Sequence, residues 1–214
     1  MVSYSAVAMQ TENLREKAYR IIKQLILTCA FDPGSILNER ELVESIGVSR
    51  TPIREALNRL EKENLVTIIP QRGAFVSAIT VKVINDIYQL REIIEPCVAA
   101  MVTPVFPAES LERYRQAFQE LEPEDYDRLA KLDNELHCHI MDLAGNDFLN
   151  QVMANMYAQN ERIRFRSTRL PQRSQETIDE HLAIIEAFLA REPLAAHEAM
   201  RVHLVKSRQA AFRI

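Results

Sequence analysis

Residues 48–60 read VSRTPIREALNRL. A serine, an arginine, a threonine and a proline come first, and then Ile53, Ala56, Leu57 and Leu60 recur at helical spacing. Proline is tolerated in a helix's first turn, where the N–H groups have no intrahelical partner. Ser49 or Thr51 is placed to cap that turn. The N-terminus of such a helix carries partial positive charge and free N–H donors, both suited to phosphate. Arg50 and Arg54 stand roughly 40° apart around the axis, at about 100° per residue. They form one basic edge away from the apolar face, where arginine can bond guanine O6 and N7 bidentately in a major groove.

Upstream, NERELVESIG reads as a short helix from Asn38, with Leu42, Val43 and Ile46 apolar and Gly47 as its stop. Two short helices joined by a tight, glycine-containing turn make a helix-turn-helix. Farther upstream, residues 11–29 place Leu14, Ala18, Ile21, Ile22, Leu25 and Cys29 at helical spacing, with Thr11 as N-cap, before Pro33-Gly34 breaks the pattern. Downstream, Val66 to Ile69 and Ala74 to Ile79 are rich in β-formers, and Pro70-Gln71-Arg72-Gly73 is a turn. Three helices and a hairpin predict a winged helix-turn-helix. Read alone, Arg50, Arg54 and Arg59 would be a solvated face beside Glu55 and Glu61. The turn before them and the hairpin after them favour DNA. Arg40 either reaches a phosphate or base edge, or pairs with Glu44. Arg72 and Gly73 at the wing tip are either turn chemistry or a backbone approach to the minor groove, which glycine permits.

Charge supports a local rather than global nucleic-acid site. The net charge of the chain is −4. Residues 1–79 hold ten basic side chains against nine acidic ones, whereas residues 80–214 hold 16 against 21. The protein is therefore no generic polyanion binder. Its 214 residues suit two small domains, 1–78 and 79–214, and four glycines with no Trp favour a mostly helical chain. The apolar runs are far too short to span a bilayer and the N-terminus lacks a signal-peptide pattern. Cys29, Cys97 and Cys138 stand at unrelated spacings, so no disulfide framework is expected. These readings predict a cytoplasmic protein with no membrane partner.

After residue 79 the pattern turns to long helices, expected at 80–101, 108–120, 124–144, 146–168, 174–191 and 193–212. They predict an all-α bundle with room for a small internal site. The chemistry-bearing stretch is KLDNELHCHIMDL, residues 131–143. Asp133 and His137, four apart, project from one helix face beside the apolar stripe. His181 and His203 lie on later helices. Asp with three His suits Zn²⁺, Ni²⁺ or a similar ion with positions left open, but periodicity cannot bring three helices together. His139 and His197 fall off these faces and read as surface residues.

The run LNERELVESIGVSRTPIREALNRLEKENLVTIIPQRGAFV, residues 37–76, resembles the DNA-binding domain of the GntR family of bacterial transcription regulators. The resemblance implies operator contacts by Arg40, Arg50, Thr51 and Arg54, and a minor-groove approach at Gly73, next to Arg72. LREIIEP, LDNELHCHIMDLAGNDFL, IDEHLAIIEAF and AAHEAMRVHL are similar, in order, to the FCD ligand-binding domain of the FadR subgroup. That resemblance implies a divalent metal, most simply Zn or Ni, on Asp133, His137, His181 and His203, at the base of a pocket for a small organic acid. FadR itself lacks this metal set and binds acyl-CoA, so the intact set points away from acyl thioesters. Arg91 matches an arginine that often meets the effector carboxylate, while its plainer role is a salt bridge to Glu95 one turn on. Arg164, in the basic run Arg162–Arg169, is a second candidate anion contact; a solvated face or a DNA-facing surface fits the same residues.

The resulting expectation is a homodimeric, ligand-responsive regulator, most often a repressor in this family, on a palindromic operator. The rivals are a metallo-enzyme with an appended DNA-binding domain and a constitutive DNA binder with a structural metal. No placed general base, nucleophile or phosphate loop supports the enzyme.

Overall fold

The computed structural model describes residues 13–170 and 172–214. The chain divides into two compact units, one comprising the described residues up to Ile26 with Phe31–Ser77, the other Leu27–Ala30 with Ala78–Ile214.

The first unit contains α1 (Leu14–Leu27), β1 (Ile36–Leu37), α2 (Glu39–Ile46), α3 (Arg50–Lys62), β2 (Val66–Ile69) and β3 (Gly73–Val76). The expected Thr11 cap lies outside the described residues. Asn38 caps α2, its side chain accepting from Arg40 N, and Gly47 ends the helix at φ 73, a left-handed conformation that glycine adopts without penalty. Ala18, Ile22, Ile26, Ile53, Leu57, Leu60 and Leu65 are buried together as the unit's core. The hairpin pairs Val66 with Val76 and Ile69 with Gly73. The strand expected to reach Ile79 stops at Val76, because Val66 is the first residue of its partner. The sequence reading missed β1, which pairs Ile36 with Phe75 and Leu37 with Ala74 to give the sheet order β1-β3-β2. Two residues are too few to show an alternation.

Among its described residues the second unit consists of α4 (Val81–Val102), α5 (Ala108–Gln119), α6 (Tyr126–Leu143), α7 (Asp147–Ser167), α8 (Arg173–Leu189) and α9 (Pro193–Ala211), each within two residues of its expected bounds. Side-chain caps open α4 at Thr80, α6 at Asp125 and α7 at Asn146. Pro96 sits inside α4, where it forgoes its bond to the Glu92 carbonyl. The apolar stripes meet around Phe106, Phe118, Leu136, Ile184, Phe188, Met200 and Leu204. No helix among the described residues is long and apolar enough to cross a membrane.

Candidate metal centre and nucleic-acid interface

In the second unit α6, α8 and α9 bring Asp133, His137, His181 and His203 together. One ligand atom from each lies within 4.8 Å of all the others. The four side chains are buried, at 4%, 1%, 0% and 1% exposure. His137 Nε2 stands 3.3 Å from His203 Nε2 and 3.5 Å from Asp133 Oδ1, and His181 Nε2 stands 3.7 Å from Asp133 Oδ2.

The partners on the far side of each ring assign its tautomer. His137 Nδ1 donates to Glu95 Oε2 at 2.7 Å, His203 Nδ1 to Glu180 Oε2 at 2.9 Å, and His181 Nδ1 to the Thr177 carbonyl at 2.7 Å. Each Nδ1 therefore carries the hydrogen, and each Nε2 is left as a bare acceptor. Three such nitrogens and one carboxylate lie within 4.8 Å of one another. His181 Nε2 has no hydrogen-bond partner, Asp133 Oδ1 is met by the Arg164 guanidinium at 2.7 Å, and Ser207 Oγ stands 3.5 Å from His203 Nε2. A buried acceptor left unmade costs about 1–3 kcal/mol. A cation is what such a set accommodates, and imidazoles oriented by carboxylates and a carbonyl are the usual support for one.

The supporting residues are themselves charge-balanced. On α4, Arg91 Nε donates to Glu95 Oε1 at 2.7 Å. On α8, Arg173 donates to both oxygens of Glu180, at 2.7 and 2.8 Å, and to Ser207 Oγ on α9 at 2.9 Å. Burial pushes the Glu95 carboxyl up, but Arg91 and His137 outweigh it and hold the group below the usual range. Burial likewise raises Glu180, yet its bonds from His203 and Arg173 bring it to about 2. Burial and the neighbouring His181 push His203 down to about 3, and burial lowers His137 despite Glu95 beside it. Both imidazoles are neutral at pH 7, the form that binds a metal.

Arg91 is thus buried in the centre, within 3.4 Å of His137 Nδ1, and makes the ion pair with Glu95. Arg164 reaches in from α7, Nε 2.7 Å from Asp133 Oδ1 and Nη1 bonded to Asn134 at 2.7 Å. Arg162 is buried, Arg166 is exposed, and Arg169 lies with its guanidinium 3.6 Å from the centre of the Phe165 ring. His139 and His197 stay out of the cluster, but neither is the surface residue expected. Both are half-buried, and His139 packs edge-on against Phe106, just before α5, at 4.9 Å and bonds the Tyr114 hydroxyl of α5 at 3.3 Å. Sequence reasoning passed over Glu180, Arg173 and Thr177, and weighed Glu95 only as Arg91's partner. Their one signal was position, Glu180 beside His181 and Glu95 four after Arg91.

In the first unit Arg40, Arg50, Thr51, Arg54, Arg72 and Gly73 are all exposed. Arg40 pairs with Glu44 at 3.0 Å and Arg54 with Glu39 at 2.9 Å, in side chains 80% and 63% exposed. Exposed pairs of this kind contribute ~0–1 kcal/mol. Arg50 and Arg72 make no ion pair among the described residues. Ser49, one of the two candidate caps with Thr51, occupies the N-cap of α3 but makes no side-chain capping bond. The first-turn N–H groups of α3 therefore receive no side-chain cap from Ser49. Arg59 is committed elsewhere, bonded to Glu16 at 2.9 Å and stacked 3.5 Å from the centre of the Tyr19 ring. Gly73, at the base of the wing turn, has φ 100, a conformation strained for any side chain.

A winged helix-turn-helix with exposed arginines along α3, joined to a helical bundle with a buried Asp/His₃ cluster, defines a class: DNA-binding regulators with a sensory domain. Residues 14–76 match the family described as bacterial regulatory proteins, gntR family, and residues 86–206 match the FCD domain. The chain belongs to the GntR family of transcription regulators, in its FCD-containing subgroup. It is 27% identical over 198 residues to the HTH-type transcriptional repressor RspR of Escherichia coli, an alignment covering 91% of this chain and 87% of that one. It is 31% identical over 195 residues to an uncharacterized HTH-type transcriptional regulator of Streptomyces ambofaciens, with 89% and 81% covered. Among solved structures it is similar in fold to a GntR transcriptional regulator of Rhodococcus sp. RHA1, with TM-score 0.80, 19% identity and 93% and 97% covered. E. coli McbR/YncC follows at TM-score 0.79, 18% identity and 94% and 98% covered.

Proposed function

We propose that the protein is a cytoplasmic, homodimeric repressor that releases operator DNA in response to a small organic acid. Residues 1–78 would form its DNA-binding domain and residues 79–214 its sensor. The observation that carries the sensory half is the convergence of three bare Nε2 atoms and the Asp133 carboxylate in a buried place. Asp133, His137, His181 and His203 hold a divalent ion, with Zn²⁺ or Ni²⁺ suiting the donors best. When bound, the ion supplies a Lewis-acidic position for a carboxylate. Arg91 and Arg164 set the positive field around that position, and each keeps a buried carboxylate ionised.

On the DNA side, Arg50 and Thr51 at the α3 N-terminus and Arg72 with Gly73 at the wing are free to meet the duplex. Arg40 and Arg54 exchange weak surface pairs for phosphate or guanine contacts. A dimer is supported by an apolar stripe on α4, where Ile93 and Met101 are 63% and 56% exposed, with exposed Cys97 between them and Val105, 64% exposed, just beyond the helix. An enzymatic role finds no support, since the two carboxylates nearest the cluster, Glu95 and Glu180, are each committed to a histidine and an arginine and offer no general base.

The acid acts by binding differently to the DNA-competent and DNA-incompetent states. The test is operator affinity measured on the zinc-loaded protein across a panel of organic acids. One class of acid is expected to lower affinity severalfold in the wild type and not in H137A/H181A. Operator affinity indifferent to every acid at saturation would contradict the reading.

A further inference from the structure

Tyr157, Asn160 and Arg164 follow one another at i, i+3 and i+7 on α7, and so share one helix face. All three are buried, at 7%, 0% and 4% exposure. Four polar atoms on this face have no hydrogen-bond partner: Tyr157 Oη, Asn160 Oδ1, Asn160 Nδ2 and Arg164 Nη2. The face belongs to the sensory centre. Arg164 Nε touches Asp133, and the Tyr157 hydroxyl sits in the field of Glu95 and Arg91. Buried polar groups in folded proteins are nearly always paired. An asparagine with both ends of its amide unmatched, flanked by two more unmatched donors, has the composition of a ligand contact rather than of a core.

We propose that Tyr157, Asn160 and Arg164 form a reading face that selects a hydroxylated carboxylic acid over the same acid without its hydroxyl. This rests on the acid-sensing reading above. The discriminating atom belongs to Asn160. Arg164 Nη2, Asn160 Nδ2 and the Tyr157 hydroxyl can all donate to a carboxylate, which is acceptor-only when ionised. The amide oxygen of Asn160 needs a donor, and turning the amide over merely exchanges which end needs it. A plain carboxylate cannot supply one; a hydroxyl beside the carboxylate can. Sites built to hydrogen-bond a substrate hydroxyl reject analogues lacking it, because the buried partner is then left unmade.

The test uses the full-length, zinc-loaded protein and a panel of two- to six-carbon mono- and dicarboxylates, each paired with its hydroxylated counterpart, such as propionate with lactate and succinate with malate. Binding is read by calorimetry and thermal shift in the wild type, N160L and Y157F. The expected result is at least about tenfold tighter binding of the hydroxylated member in one or more pairs. N160L should erase that preference, weakening the hydroxylated acid about tenfold more than the plain one, and Y157F should reduce it. Without ligand, N160L should melt a few degrees higher than wild type, because an unmatched amide is replaced by an apolar group of similar size. Equal binding within every pair, unchanged in N160L, would overturn the reading face and leave acid sensing intact. A large drop in the ligand-free melting point of N160L would also overturn it, by making Asn160 structural. Binding of no acid at all would overturn the acid-sensing reading, and the reading face with it.

Discussion

The two functional surfaces use the same side chains in opposite ways. On α2 and α3 of the first unit, arginines stand in water, and those that are paired are held by ion pairs worth ~0–1 kcal/mol. In the second unit Arg91, Arg164 and Arg173 are buried, and each lies against a carboxylate of the Asp/His₃ cluster or of its support. The first surface is fit to exchange partners, since giving up Glu39 or Glu44 for a phosphate loses little. The second is built to keep its partners, since an uncompensated charge in that interior is expensive. DNA binding calls for interchangeable contacts, and a sensor calls for fixed ones.

Acid should separate the two regions most strongly, because it acts on several groups of the centre at once. His203 is held at about 3 against an ordinary 6.5, and His137 is also lowered. The unfolded chain therefore takes up these protons first, and stability present above pH ~6.5 is lost as pH falls toward 3. Glu180, at about 2 against 4.5, adds a loss of the same sign below pH 4.5. Metal-free protein should thus show a melting point falling steadily from pH 7 to pH 4; a flat or rising profile breaks the account of neutral, buried histidines.

Next in size is Glu180→Ala, which takes from the buried Arg173 its close two-oxygen ion pair and leaves it Ser207 and a longer 3.5 Å contact to Glu176. It should destabilise the protein by ~3–5 kcal/mol in denaturant unfolding, with Arg173→Met/Glu180→Met recovering most of the loss. Loss without recovery would mean that the pair is not the reason for the cost. Glu95→Gln keeps the shape but weakens the hold on His137, and zinc affinity measured against a chelating indicator should fall roughly 10–100-fold. An unchanged affinity would remove Glu95 from the metal centre. The smallest effects belong to the exposed face. Arg50→Ala should weaken operator binding by about 1–3 kcal/mol, while Glu44→Ala should shift stability by under about 1 kcal/mol. A large stability change in either variant would show that this surface is structural.

The contrast also governs what was legible in the sequence. The DNA-binding half lies in one contiguous run, and its signals are local: Asn38 as cap, Gly47 as stop, a proline-opened α3 and a four-residue wing turn. Each is decided by backbone chemistry within a few residues, so helix-turn-helix and wing could be read directly. The two-residue β1 could not, because its partner is distant β3. In the second unit the α6 spacing of Asp133 and His137 was visible, whereas the meeting of α6, α8 and α9 came only through resemblance. Glu95, Glu180 and Thr177 were not legible as supports, since Nδ1 partners depend on which helices touch and on how each ring turns. The same holds for Tyr157 and Asn160, whose interest lies in bonds not made, a property no pattern of residues displays.

The central claim is that three histidine Nε2 atoms and the Asp133 carboxylate converge to hold a cation. The most direct measurement is elemental analysis of protein purified without chelator or metal-affinity resin, beside H137A/H181A. The account predicts about one divalent ion per chain in the wild type and none in the variant. Wild-type protein that carries no metal, and takes none up when offered Zn²⁺, Ni²⁺ or Mn²⁺, would contradict it.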